Sequence, residues 1–276
     1  MFGVTPTSPQ SSRLKRFTGK LPNLTNASYM FSGCKGLTSF STPSGMLPNS
    51  LTTAISMFTG CTGLTEWTVE LPNSLTDVRS MFNGCSKLNS WAVELPNSIT
   101  NASKMFYNCT GLTTFSTPSG TLPNNLQDAS SMFYGCSGLT SWTVALPNNL
   151  QDASSMFRSC TGLTSWNGTL PNSLTTATDM FRSCTGLTEW NVELPNSLTN
   201  ADAMFWGCSE LRSWTVALPN SITDASNMFY GCAFTSWTVA LPNSITDASN
   251  MFGNCKGLTE WNVELPNSIR DASSMF

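Results

Sequence analysis

Ten cysteines, Cys34, Cys61, Cys85, Cys109, Cys136, Cys160, Cys184, Cys208, Cys232 and Cys255, are the residues best equipped for nucleophilic or metal chemistry. Neither chemistry has its other half. No Cys-x-x-Cys occurs and the chain has no histidine, whereas structural zinc needs four converging ligands and a cysteine nucleophile needs a base to activate it. The thiols therefore read as one inward column of small apolar groups, lying parallel so that no disulfide pairing is favoured. Glu66/Glu70, Glu189/Glu193 and Glu260/Glu264 each flank a Trp-x-Val. On an extended strand such pairs lie roughly 13 Å apart, too wide for a glycosidase pair at about 5–9.5 Å. The column Asp77, Asn101, Asp128, Asp152, Asp224, Asp247 and Asp271 gives one side chain per unit, too few oxygens for calcium, and reads as capping of a turn. The expectation is a chain that is not an enzyme and carries no cofactor or metal.

What positions these columns is repetition. Leu-Pro-Asn begins at Leu21, Leu47, Leu71, Leu95, Leu122, Leu146, Leu170, Leu194, Leu218, Leu241 and Leu265, usually 24 residues apart. Two longer steps come from the insertions Phe40–Gly45 and Phe115–Gly120, both reading FSTPSG, and one shorter step from Cys232-Ala233-Phe234. Within a unit, Trp91 to Leu95 alternates apolar and polar like a short strand with one buried face. The piece from Asp77 to Phe82 lacks that alternation and predicts a 3₁₀ or short α-helical turn capped by its Asp or Asn. One such coil cannot bury its apolar side, but stacked coils can, which predicts a solenoid with nearest-neighbour packing. Eleven coils at about 4.8 Å make a body roughly 50 Å long.

The order Leu146, Pro147, Leu150, Phe157, Cys160, Leu163, Trp166 resembles the BspA-like (Treponema-type) leucine-rich repeat, and the Met-Phe-x-Gly-Cys-x-x-Leu-Thr core is similar to repeats of Mycoplasma-type surface lipoproteins. The likeness runs from Leu21 to Phe276. It departs where Ala129 or Ala153 stands in place of Ile or Val, and where Trp replaces Leu or Ile on the strand. The resemblance implies a right-handed leucine-rich-repeat solenoid, short parallel strands on one face and turns on the other. It also implies use in adhesion and recognition by bacteria, protists and viruses, with no catalytic residues.

Most columns are explained by the coil itself. Trp67, Trp91, Trp142, Trp166, Trp190, Trp214, Trp237 and Trp261, with Phe40 and Phe115, read as stacked core rings. The asparagines Asn23 to Asn267 of Leu-Pro-Asn read as turn residues whose amides satisfy the backbone or one another. One column escapes. Between Met-Phe and Gly-Cys the sequence gives Ser32, Thr59, Asn83, Tyr107, Tyr134, Arg158, Arg182, Trp206, Tyr230 and Gly253, a range no packed column accepts, so the position should be exposed. Six consecutive coils hold Tyr107, Tyr134, Arg158, Arg182, Trp206 and Tyr230, the residue types enriched at binding hot spots. They form a stripe of roughly 25 Å. It either binds a partner or merely covers the coil edges. A second polar surface, with Ser39, Glu66, Ser90, Thr114 and Ser141 in one column, reads as solvated strand polarity.

At 276 residues with 40% hydrophobic and only 11% charged side chains, the chain is globular with a weakly charged surface. Its net charge of −3 offers no field for nucleic acid. No 18-residue apolar run exists, so no membrane insertion is expected, and the first residues lack the apolar block of a secretory signal. Residues 1–20 carry no repeat motif but hold Arg13, Lys15, Arg16 and Lys20, and are expected to cap the solenoid or dock it to a carrier. Residues 21–276 form the solenoid, whose last repeat stops before any Gly-Cys. The reading is a non-enzymatic adhesion or receptor-recognition module on a virion or cell surface, with a host surface protein or glycan as partner. A fibre or head-to-tail filament and a cytoplasmic scaffold are the alternatives.

Overall fold

The computed structural model describes residues 13–276, so most of the segment expected to cap or dock lies outside the described residues. Its last part does not stand apart from the repeats. Arg16–Phe17 (β1) pairs in parallel with Ser39–Phe40 (β2), and the Phe17 ring stacks on Phe40 at 5.0 Å.

The strand face consists of two-residue strands paired in parallel: Ser90–Trp91 (β3) with Thr114–Phe115 (β4), Ser141–Trp142 (β5) with Ser165–Trp166 (β6), Glu189–Trp190 (β7) with Ser213–Trp214 (β8), and Ser236–Trp237 (β9) with Glu260–Trp261 (β10). Each places a polar residue outward, and the aromatic one inward in all but the last coil, as the pleat demands. The strands end at the tryptophan rather than running on to the leucine. The chain bends after it, and Trp91 Nε1 donates to the Val93 carbonyl at 2.7 Å, a bond repeated at Trp67, Trp142, Trp190, Trp214, Trp237 and Trp261.

The second face differs from the expected helical turn: no helix forms among the described residues. Ser80 and Gly84 have φ of 55° and 72°, and residues in the left-handed region interrupt a right-handed helix. A run of tight turns results, with alternate amides facing different ways. Met81, Asn83 and Cys85 donate three residues back, to Val78, Ser80 and Phe82, while Ser80, Phe82 and Gly84 donate to Ser103, Met105 and Tyr107 of the next coil. The turn face is thus a ladder in its own right, continued by bridges from Asn26 through Thr53, Asp77 and Asn101 to Asp271. Oδ1 of that Asp/Asn column accepts the amide two residues on, as from Ser130 to Asp128 and from Ser154 to Asp152, so the capping role holds for a turn.

Two aromatic columns fill the core. The Phe31 to Phe276 rings lie nearly parallel from coil to coil, as do the Phe17 to Trp261 rings, and the columns meet edge to face, Phe58 on Trp67 at 4.9 Å and 67°. This is the arrangement the ring quadrupoles favour. The ten thiols are buried. Nine of them, Cys61 to Cys255, donate to the phenylalanine carbonyl of the preceding coil at 3.1–3.4 Å. All eleven asparagines of Leu-Pro-Asn are exposed; Asn97 Oδ1 accepts from Asn124 N of the next coil at 2.8 Å, the amide role expected, and the turn itself is closed by Leu51 N donating to Pro48 O and its equivalents. The following serine ties coil to coil, as Ser74 Oγ does to the Leu51 carbonyl at 2.7 Å.

Candidate functional site

The six residues of the variable column sit at one place on the turn ladder. Tyr134 lies between Ser131 and Gly135, both with positive φ (55° and 70°). Its carbonyl accepts from Asn108 N at 2.7 Å, and the carbonyls of Tyr107, Arg158, Arg182, Trp206 and Tyr230 accept from Gly84, Gly135, Ser159, Ser183 and Gly207 at 2.7–2.8 Å. These bonds fix each Cα one ladder spacing from the next. Side chains on adjacent coils are thereby held at stacking distance.

They stack. Tyr107 lies on Tyr134 with ring centroids 4.5 Å apart and planes within 9°, the Arg158 guanidinium covers Tyr134 at 5.6 Å, Arg182 covers Trp206 at 4.0 Å, and Trp206 lies on Tyr230 at 5.5 Å. The two arginines are joined through Asp179, whose Oδ2 accepts from Arg158 at 2.6 Å and Oδ1 from Arg182 at 3.2 Å. One ladder runs unbroken across six coils.

The column is half-buried, not freely exposed as expected: both arginine side chains are 29% exposed and Asp179 16%. Each side chain packs on one of an adjacent coil, and at the end of the ladder a Cβ on Gly253 would meet the Tyr230 ring at 2.8 Å. Both faces of Tyr134 and both faces of Trp206 are consequently covered by ladder neighbours. Burial, with the Tyr134 phenol against it, pushes the Tyr107 hydroxyl above the ordinary tyrosine range, Arg158 pulling the other way.

Asp179 is not among the residues the repeat pattern marks as a site. It belongs to a different column, read as Ser56, Ser80, Ser131 and Ser155 in other coils. A carboxylate replaces serine there, three residues before Arg182 in the same coil and one coil on from Arg158. The glutamates of the Trp-x-Val pairs are all exposed. Among the described residues no group of three His, Cys, Asp or Glu is placed to hold a metal ion, and no helix is long and apolar enough to cross a membrane.

Coils of one parallel bridge each side, stacked on a leucine, cysteine and aromatic core, define a leucine-rich-repeat solenoid. The family described as BspA type Leucine rich repeat region matches in six copies, over residues 25–164, 119–232 and 178–276. The chain belongs to this family. A leucine-rich repeat protein from Bacteroides ovatus shares the fold with a TM-score of 0.63 at 22% identity, over 94% of this chain and 68% of that one. A leucine rich cell surface protein from Faecalibacterium prausnitzii aligns at 19% identity and TM-score 0.44 (91% and 80% covered), and the T. pallidum Leucine Rich Repeat protein at 23% and 0.41 (78% and 77%). No curated protein sequence matches.

Proposed function

We propose that this chain is a non-enzymatic recognition module, an adhesin or receptor-binding repeat on a virion or cell surface, and that it holds a protein partner through the ladder from Tyr107 to Tyr230. The observation that carries this is the ladder's preassembly, in which every member is packed against a neighbour before any partner arrives. Ordering a long side chain at an interface costs about 0.5–1.5 kcal/mol, and here most of that ordering precedes binding. Tyr, Trp and Arg presented in a fixed row are the side chains that dominate interfaces.

The stacking also favours protein over glycan. A sugar recognised by aromatic residues lies on a ring face, and the faces of Tyr134 and Trp206 are already covered, by Tyr107 and Arg158 and by Arg182 and Tyr230. A protein can use the ring edges, phenol hydroxyls and guanidinium N–H groups that remain. The exposed basic group Arg13, Lys15, Arg16 and Lys20 supports attachment to a larger assembly at that end.

Parallel arrays of cell-surface proteins and of glycans test the reading. Saturable binding in the protein arm is expected. Hits confined to glycans would overturn it.

A further inference from the structure

A groove on a different part of the coil reaches the second FSTPSG insertion. It measures 580 Å³ and runs from Met46, which follows the first insertion, to Pro118 of the second, with Glu70, Val93 and Glu94 between them. None of its lining residues belongs to the Tyr107–Tyr230 ladder. Met46, Glu70, Glu94 and Thr121 are successive members of one column, so the groove spans three coil steps, about 14 Å.

Its walls are built. Thr42 Oγ1 donates to the Met46 carbonyl at 2.9 Å, and Thr117 Oγ1 to the Thr121 carbonyl at 2.9 Å, giving both insertions the same internal brace. Glu94 pins the second one, accepting from Ser119 N at 3.0 Å and from Ser119 Oγ at 2.6 Å. Glu70, on the adjacent coil, makes no side-chain hydrogen bond or ion pair among the described residues, and no lysine or arginine lines the groove. Glu70 and Glu94, on adjacent coils of that column and flanked by Met46, Val93 and Pro118, match a cation on an alkyl stem. Lysine and arginine present that pairing, the stem on apolar surface and the head on charge.

We infer that this groove takes a lysine or arginine side chain of a protein partner, at a site separate from the ladder. The test is amide NMR of the full chain titrated with acetyl-Leu-Arg-Leu-amide and, in parallel, acetyl-Leu-Gln-Leu-amide. Saturable shifts at Thr68, Ala92 and Val93 are expected with the arginine peptide, about tenfold weaker binding with the glutamine peptide, and a similar loss in Glu70→Gln. Raised salt should weaken binding further. Glu94→Gln, which can keep a bond to Ser119, is the second variant and should lose affinity likewise. Replacing Tyr134, Arg158, Arg182 and Trp206 by Ser should leave these shifts intact, so failure of the ladder reading and failure of this one are distinguishable. An equal response to both peptides, undiminished affinity in both glutamine variants, no saturable shift, or tighter binding of free spermidine than of the peptide would overturn the inference.

Discussion

Asp179 is 16% exposed and holds two arginines at once, which makes it the residue on which the continuity of the ladder depends. Partly exposed ion pairs contribute little each, so Asp179→Ala should cost about 1 kcal/mol in urea unfolding, and less at high salt. A cost unaffected by salt would mean that packing, not charge, joins Arg158 to Arg182. The thiols are governed by burial. It pushes Cys109, Cys160 and Cys208 up to about 12 and Cys255 to about 11. A thiol raised in the folded state keeps its proton there while the unfolded chain loses it from about pH 8.5. Stability is therefore full below that pH and falls as pH rises toward 12, by up to about 1.4 kcal/mol per thiol per unit. Urea midpoints recorded across this range should drop steeply, and a flat profile would contradict the buried thiol column. At this scale the sequence was legible wherever a residue recurred, as with the thiols and the indoles. Asp179 was not, because Arg158 comes from the preceding coil and only the fold brings it to the carboxylate that also holds Arg182.

Among the elements, the turn face is where periodicity alone failed. Absence of strand alternation between Asp77 and Phe82 reads as helix, but Ser, Asn, Lys and Asp are not glycine, and nothing in their type announces that Ser56, Lys104, Asn227 and Asp179 all take positive φ. The stacked coil imposes it, since only then do alternate amides reach the next coil. The strand side shows the converse, a local departure that sequence does mark. Trp166 is followed by Asn167-Gly168 where other coils have x-Val, and its indole N–H is the buried tryptophan donor left without a partner among the described residues. A Cβ at Gly168 would meet the Trp142 and Trp166 rings at 3.1 Å, a contact those rings relieve by shifting a few tenths of an ångström. Gly168→Val should move Trp166 toward the pose of Trp142, which donates to the Val144 carbonyl. An unmet buried donor costs about 1–3 kcal/mol, so a gain near 1 kcal/mol in thermal unfolding is expected, and a loss would show that the rings cannot give way.

Across the whole molecule, the repeat, the solenoid and the family were all legible in the spacing of Leu-Pro-Asn and Phe-x-x-Cys, because stacking forces every coil to place like residues alike. The proposed function lies in what breaks the repeat: six large side chains in one column, and a groove between Met46 and Pro118 of the second insertion. The sequence could mark both places but not the stacking that turns six separate residues into one surface, since that depends on distances between coils. The measurement that tests this most directly is partner affinity for three forms of the protein, chosen from the surface-protein array. These are the parent chain, a variant with Tyr134, Arg158, Arg182 and Trp206 changed to Ser, and a control with Ser141, Ser165, Ser213 and Ser236 on the strand face changed to Ala, each confirmed folded by its unfolding transition. The ladder variant should lose about a hundredfold or more while the control binds like the parent; an unchanged ladder variant, or a control that loses binding instead, would contradict the account.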